Sequence, residues 1–107
     1  MANPSKQKGT AYETAVAKYL VEHGFPYAER RALNGSTDRG DIAGIPGVVL
    51  ELKAAKTLCL SEWMDEVRVE KQNAHAEVGA AVVKRRSHSV GKSYVVMELD
   101  DFIELIR

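Results

Sequence analysis

Residues 40–53 read Gly40-Asp41-Ile42-Ala43-Gly44-Ile45-Pro46-Gly47-Val48-Val49-Leu50-Glu51-Leu52-Lys53, and the fold is decided there. Val48–Lys53 is the clearest strand of the chain. The apolar residues around its charges mark it as a central strand. Side chains alternate along a strand, so Glu51 and Lys53 share one face while Leu50 and Leu52 turn to the other and can fill a core. Ile45-Pro46-Gly47 is a turn, and it folds a short strand, Asp41–Gly44, back beside the first. If that hairpin sets Asp41 across from Glu51, their Cβ atoms lie about 4.5–5.5 Å apart and the carboxylates repel. A divalent cation between them makes sense of the arrangement. Two carboxylate oxygens, a backbone carbonyl and waters suit Mg²⁺. Lys53, one pleat step on, brings an ammonium beside the cation, where it can hold an attacking water or stabilise charge on a phosphate oxygen. A hard cation next to a lysine is machinery for phosphodiester hydrolysis. Strands also carry Glu and Lys on plain solvated faces, so this spacing alone leaves a surface role open.

Working towards the N-terminus, Asn34–Gly40 is a loop by composition and residues 27–33 form a strand of poor alternation. Before them Tyr12, Val16, Tyr19 and Leu20 recur at helical spacing, with Ser5 as N-cap, Gly24 as terminator and Pro26 blocking continuation. Glu13 lies in a row with Val16, Ala17 and Leu20. A carboxylate at the rim of an apolar face either serves a site or snorkels to solvent. Towards the C-terminus, Ser61 caps a second helix with Glu62, Asp65 and Glu66 in its first turn. Its apolar face is Trp63, Val67 and Ala74, and Gly79 ends it. Strands at 80–85 and 94–98 flank a basic loop. Asp100 opens a short helix whose apolar face is Phe102, Ile103 and Ile106. The order is αβββαββα, an α/β fold with a mixed sheet flanked by helices.

The chain's 107 residues suit a single domain, 1–107, with a flexible lead-in over 1–8. A hydrophobic share of 45% with 28% charged residues is ordinary for a globular protein. Cys59 is the sole cysteine, which excludes an internal disulfide framework. No apolar stretch approaches the roughly 20 residues that cross a bilayer, and the N-terminus has no apolar signal core. Together these imply a cytoplasmic protein with no membrane partner. The net charge of zero argues against a histone-like binder, yet residues 78–92 carry Lys84, Arg85, Arg86 and Lys92 and no acid. Such a stretch makes a phosphate-binding patch or simply a solvated strand end. His23, His75 and His88 lack ligand spacing, and Cys59 reads as a small, partly buried thiol. Trp63 packs in the core or at a dimer interface.

Gly40-Asp41, nine residues, then Glu51-Leu52-Lys53, behind a Glu-bearing helix and before a helix containing Gln72, resembles the PD-(D/E)XK nuclease superfamily. Within it the chain most resembles the small Holliday junction resolvases of archaea and bacteriophages, from about Gly9 to Arg107. Gly40 stands where the name-giving motif has proline. The resemblance implies a restriction-endonuclease-like core in which Asp41 and Glu51 bind Mg²⁺, or Mn²⁺ in its place, with the Leu52 carbonyl as a further ligand. Lys53 becomes the catalytic lysine, Glu13 a metal-shell or water-binding carboxylate, and Gln72 a site residue from the second helix, unless it is a plain surface glutamine. Asp38 is the rival to Asp41 as first ligand, although its loop position makes it less fixed. Arg30, Arg31 and Lys84-Arg85-Arg86 would contact DNA phosphates. Ser36, Thr37, Asp38 and Arg39 would form a mobile loop touching the DNA backbone.

The expected activity is metal-dependent DNA endonuclease action on branched DNA, in recombination, by a homodimer of a bacterial, archaeal or phage-encoded protein. A nickase, a flap or mismatch enzyme, or a DNA-binding module on a decayed nuclease fold are the rivals. The intact Asp41, Glu51 and Lys53 speak against the last. Trp63, Met64 and the Phe102, Ile103, Ile106 face supply apolar residues for an isologous interface.

Overall fold

The strand Val78–Val83 is built of six small or β-branched residues, all buried, and the sheet forms around it. In the computed structural model, which describes residues 4–31 and 37–107, the elements run α1 (Pro4–Glu22), β1 (Glu29–Arg30), β2 (Ile42–Ala43), β3 (Val48–Lys53), α2 (Leu60–Ala74), β4 (Val78–Val83), a 3₁₀ turn (Val90–Lys92), β5 (Tyr94–Val96) and α3 (Leu99–Ile106). The expected element order and the α/β class hold. The sheet is a mixed, three-stranded one of order β3-β4-β5, with a separate antiparallel pair β1-β2. The strand β3 pairs in parallel with β4, Glu51 beside Ala81 and Lys53 beside Val83. The crossover between them is α2, as a parallel pair requires.

The period of two sorts the side chains between helices. Leu52 and Val82 pack against Tyr12, Val16 and Ala17 of α1, with Ala28 and Ile42 closing that cluster. On the opposite face Ala81 and Val83 pack against Trp63 and Val67 of α2. Glu51 and Lys53, one residue out of step with Leu52, therefore lie on the α2 face. Gly79 shares that face, and a Cβ there would come 2.6 Å from Val67 Cγ1. Asp101 of α3 is buried and locks α3 to both neighbours: its Oδ1 accepts from Lys71 Nζ and its Oδ2 from the Gly79 amide, each at 2.8 Å. No helix among the described residues is long and apolar enough to cross a membrane.

Several expectations shift. The middle strand is β4, not β3. The β2–β3 hairpin makes no continuous ladder; the Asp41 amide bonds to the Leu50 carbonyl at 2.8 Å, and β2 pairs with β1 instead. Gly44 allows this, with φ +90° and no room for a Cβ against the Tyr27 carbonyl. The strand expected over 27–33 is only Glu29–Arg30, both exposed, and residues 32–33 lie outside the described ones. Of the lead-in 1–8, residues 1–3 also lie outside, and α1 begins at Pro4, so Ser5 is inside the helix rather than its cap. Cys59, not Ser61, occupies the N-cap of α2, and the helix ends on His75 in the left-handed conformation, φ 53°. Gly79, expected to end that helix, is inside β4, because close helix–strand packing rather than a turn needs it. Strands expected at 80–85 and 94–98 are 78–83 and 94–96, and α3 starts at Leu99. Phe102, Ile103 and Ile106 are exposed at 43%, 41% and 65%, whereas Trp63 is 5% exposed and belongs to the chain's own core.

Asp101→Ala leaves a half-buried ammonium and the Gly79 amide without an acceptor, a loss of about 2–3 kcal/mol of unfolding free energy. The neighbouring exposed Asp100→Ala costs at most about 0.5 kcal/mol. Urea unfolding of the two variants beside the wild type measures the difference.

Candidate metal centre

The site grows from β3. Its alternation turns Glu51 towards α2, where the carboxyl is buried. The inward stripe of α2 is Trp63, Val67 and Glu70, at i, i+4 and i+7. Glu70 thus comes down onto Glu51, only 1% exposed. Asp38 completes the group from the loop before β2. Carboxylate oxygens of Asp38, Glu51 and Glu70 all lie within 4.8 Å of one another. Two bonds fix Asp38: its Oδ1 accepts from the Gly40 amide at 2.9 Å, and its carbonyl accepts from Asn73 Nδ2 of α2 at 2.8 Å. The segment expected to be a mobile loop is therefore clipped to α2 at this residue. Gly40 lets the chain hug β3: its φ is +92°, and a Cβ would meet the Leu50 carbonyl at 3.0 Å. Proline, locked near −65°, cannot adopt that φ.

Asp41 occupies the open edge of β3. Its Oδ2 accepts from the Leu52 amide at 2.7 Å, alongside the bond from its own amide to Leu50. The side chain takes the place of a ladder partner and stands beside Glu51. This bond uses the Leu52 N–H and leaves the role expected of its carbonyl, as a metal ligand, untouched. Glu13 of α1 sits near Asp41 and is ion-paired with Arg30 at 3.4 Å. Partial burial, then the Asp41 charge, raise the Glu13 pKa, and Arg30 offsets only part of this. Lys53 Nζ bonds to Glu66 Oε2 of α2 at 2.8 Å and lies 5.8 Å from the Trp63 ring. Burial opposes the charge on Lys53, but Glu66, with Glu51 and Asp41 behind it, outweighs burial and keeps its pKa above the ordinary value.

The carboxyls beside Glu51 dominate the electrostatics. Burial, followed by the Glu70 and Asp41 carboxyls, drives the Glu51 pKa far upward. Glu70 rises to about 7, through burial and the charges of Asp38 and Asp41, with the Glu51 contact working the other way. Neither Glu70 oxygen has a hydrogen-bond donor among the described residues. Two facing carboxylates repel when both are charged, so without a cation protonation within the group is favoured. The group of acidic oxygens could hold a metal ion.

The structure brings Glu51, Asp41, Lys53 and Glu13 into one neighbourhood and adds Asp38 firmly to it. It leaves Gln72 exposed on α2, and the acid that faces the site is Glu70 instead. The signal for Glu70 was an acidic residue in the apolar row Trp63, Val67, Glu70, Ala74. Among the expected DNA contacts, Arg30 is committed to Glu13, while Arg31 is half-buried with its Nε shielded from solvent and no acceptor among the described residues. Thr37 and Arg39 are exposed, and Ser36 lies outside the described residues. Lys84 and Arg86 are exposed, whereas Arg85 stacks over the Tyr94 ring at 4.5 Å. The Lys84 amide bonds to the Lys53 carbonyl at 2.8 Å, so the basic loop leaves the sheet beside Lys53, at the C-terminal end of the parallel pair. Ligands of α/β sheets bind at such ends. Compared with protein-family models, curated proteins and solved structures, the chain matches none.

The raised carboxyls set a pH dependence. The native state holds protons that the unfolded chain releases above about pH 4.5, the ordinary Glu value, so stability falls as pH rises towards and past 7. In chelator, Tm is expected to fall between pH 5 and 8 through these groups. Glu70→Gln gives Glu51 a neutral neighbour, flattens that slope and raises Tm at pH 8 by about 5 °C. Scanning calorimetry across this pH range checks both.

Proposed function

We propose that the protein is a metal-dependent endodeoxyribonuclease on a restriction-endonuclease-like core, acting on branched DNA such as four-way junctions. The observation that carries this reading is the carboxylate group around Glu51, buried beside Lys53 at the sheet end from which a basic loop emerges. The order helix, three strands, helix, strand supports the core, and the resemblance of Asp41, Glu51 and Lys53 to the nuclease motif supports the chemistry. The cation supplies a water of lowered pKa and neutralises charge at the scissile phosphate. Asp41 and Glu51 hold it from the edge of β3. Lys53, close enough to both to feel their charge, stabilises charge on the phosphate once it leaves Glu66. Lys84 and Arg86 take flanking phosphates, a contact whose strength falls with salt. Glu13 orients water or the cation from α1.

The same reading includes a homodimer. Exposed apolar residues gather on α3, with Leu99 at 71% and Ile106 at 65%, and on the edge strand β5, with Val95 at 62%, besides others scattered over the rest of the surface such as Tyr27 and Leu58. An isologous contact through them presents two sites to the two symmetric strands of a junction. Trp63 is not available for this interface.

On a panel of four-way junction, duplex and single-stranded DNA, cleavage of the junction is expected with Mg²⁺ and none with chelator. Asp41→Asn keeps an oxygen for the Leu52 amide but loses the charge, and is expected to bind the junction normally without cutting it. Lys53→Ala should lower the rate by a factor on the order of 10². Cleavage that survives chelation, or full activity of Asp41→Asn, refutes the reading; cleavage of nicked or flapped substrates alone moves it to the rival nucleases.

Sedimentation with and without a junction tests the assembly. Two chains per junction and near-simultaneous cuts on opposing strands are expected. One chain of 11.8 kDa binding alone favours a nickase.

A further inference from the structure

The strand β3 and the crossover helix meet in two rungs. As the connection between two parallel strands, α2 runs back against the direction of β3. Lys53 therefore meets Glu66, while Glu51, two residues before Lys53, meets Glu70, four residues after Glu66. The spacings match: two strand residues advance about 6.6 Å, and four helix residues about 6 Å. The inner rung sets two buried acids against each other. The outer rung is an ion pair, with Lys53 Nζ 2.8 Å from Glu66 Oε2, and its acid is the more open partner, the Glu66 side chain being 49% exposed against 20% for Lys53. The same ammonium lies 5.8 Å from the ring centroid of Trp63, the sole tryptophan of the chain, three residues before Glu66.

Charge alone would send Lys53 elsewhere. It shares a face with Glu51 and is close enough to Glu51 and Asp41 to feel both charges. Attraction between opposite charges grows as water is excluded, and the lysine stem is flexible. Drawn onto the inner rung, the ammonium would become the counter-ion of Glu51 and fill the place of a cation. Its bond goes to the exposed acid instead. We propose that Glu66 is a positioning residue that holds the Lys53 ammonium on the outer rung, over Trp63, and so keeps the carboxylates around Glu51 open to a metal ion. The proposal rests on the nuclease reading for that ion, and Glu66 lies outside every residue to which the resemblance gives a role. Trp63 contributes the second wall of the dock, because a buried indole face attracts an ammonium and fixes its stem. Lys53 then keeps its charge beside the site without competing for it.

Titration calorimetry with Mn²⁺ at pH 8, on the full chain without DNA, reads the effect through a double-mutant cycle. Glu66→Ala is expected to weaken Mn²⁺ binding by about tenfold, because Lys53 moves onto Glu51. Glu66→Gln, which keeps the shape and an acceptor, should show a smaller loss and guards against a variant that fails to fold. Lys53→Met combined with Glu66→Ala should bind Mn²⁺ at least as tightly as the wild type, since no ammonium is left to compete. In chelator, the emission of Trp63 in Glu66→Ala should match that of Lys53→Met, both differing from the wild type, as the ammonium leaves the ring in each. An equal loss on removing Glu66 with and without Lys53 means that Glu66 acts through its charge alone, and overturns the proposal. So does an unchanged affinity or an unchanged Trp63 emission in Glu66→Ala. A wild type that takes up no Mn²⁺ refutes the nuclease reading and the open-site half of the proposal, with the emission still deciding where Lys53 rests. Junction cleavage that fails while the cycle and the emission behave as expected bears on the nuclease reading alone.

Discussion

The Glu51 carboxyl lies beneath α2 with the Glu70 carboxyl against it, and the surrounding structure has to hold these two together. Burying facing carboxyls is unfavourable unless a proton or a cation lies between them. The opposing force comes from the same face of the sheet. Trp63 and Val67 of α2 pack on Ala81 and Val83, and the Asp101 bonds to Lys71 and Gly79 brace the far end of the helix. Apolar burial one turn away thus maintains a polar contact that would separate if isolated. Sites that sacrifice local stability in this manner are common where function needs them.

The β3–β4 pair contributes direction as well as support. Both strands end at the same side, with the Lys53 carbonyl accepting the Lys84 amide. The acidic centre and the exposed basic residues therefore sit close along one short path through the sheet. In the proposed reading a DNA backbone meets Lys84 and Arg86 near the point where Lys53 can reach a phosphate. Arg85 does something different, lying over Tyr94 and reinforcing the turn into β5.

The sequence made the strand Val48–Lys53 and its two faces readable, because period-two alternation and β-branched composition are local signals. The placement of Lys53 with Glu51 follows from that alternation, and that of Asp41 beside them from the turn at Ile45-Pro46-Gly47, whereas Glu13 is legible only as an acid in an apolar helical row and through the resemblance. Glu70 is not legible in this way, because an acid within the helical apolar stripe of Trp63, Val67 and Ala74 reads as an interruption of it. Asp38 is hidden for a related reason. Its anchoring depends on Asn73, thirty-five residues away, and no local pattern reports such a bond. The role of Gly79 is ambiguous in sequence because glycine serves both to stop helices and to admit close neighbours, and only the packing of Val67 tells which. The exposed α3 face shows the remaining gap: an amphipathic period says that a face is apolar, not what covers it.

Gly79 has a consequence beyond its own strand. It is paired with Val49, one pleat step from the Glu51–Ala81 pair, and its bare α-carbon receives Val67, one helical turn before Glu70. The distance between helix and sheet at that place is set by a missing methyl group. Helix α2 is stiff over so short a span, so the same spacing is transmitted to the next turn, where the carboxyls meet. Residue 79 bonds through its amide to Asp101 and carries no side chain to offer Glu51 or Glu70, yet it works as a spacer for those two. The separation of Glu51 and Glu70 is thereby written into the sheet, in a residue that carries no charge of its own.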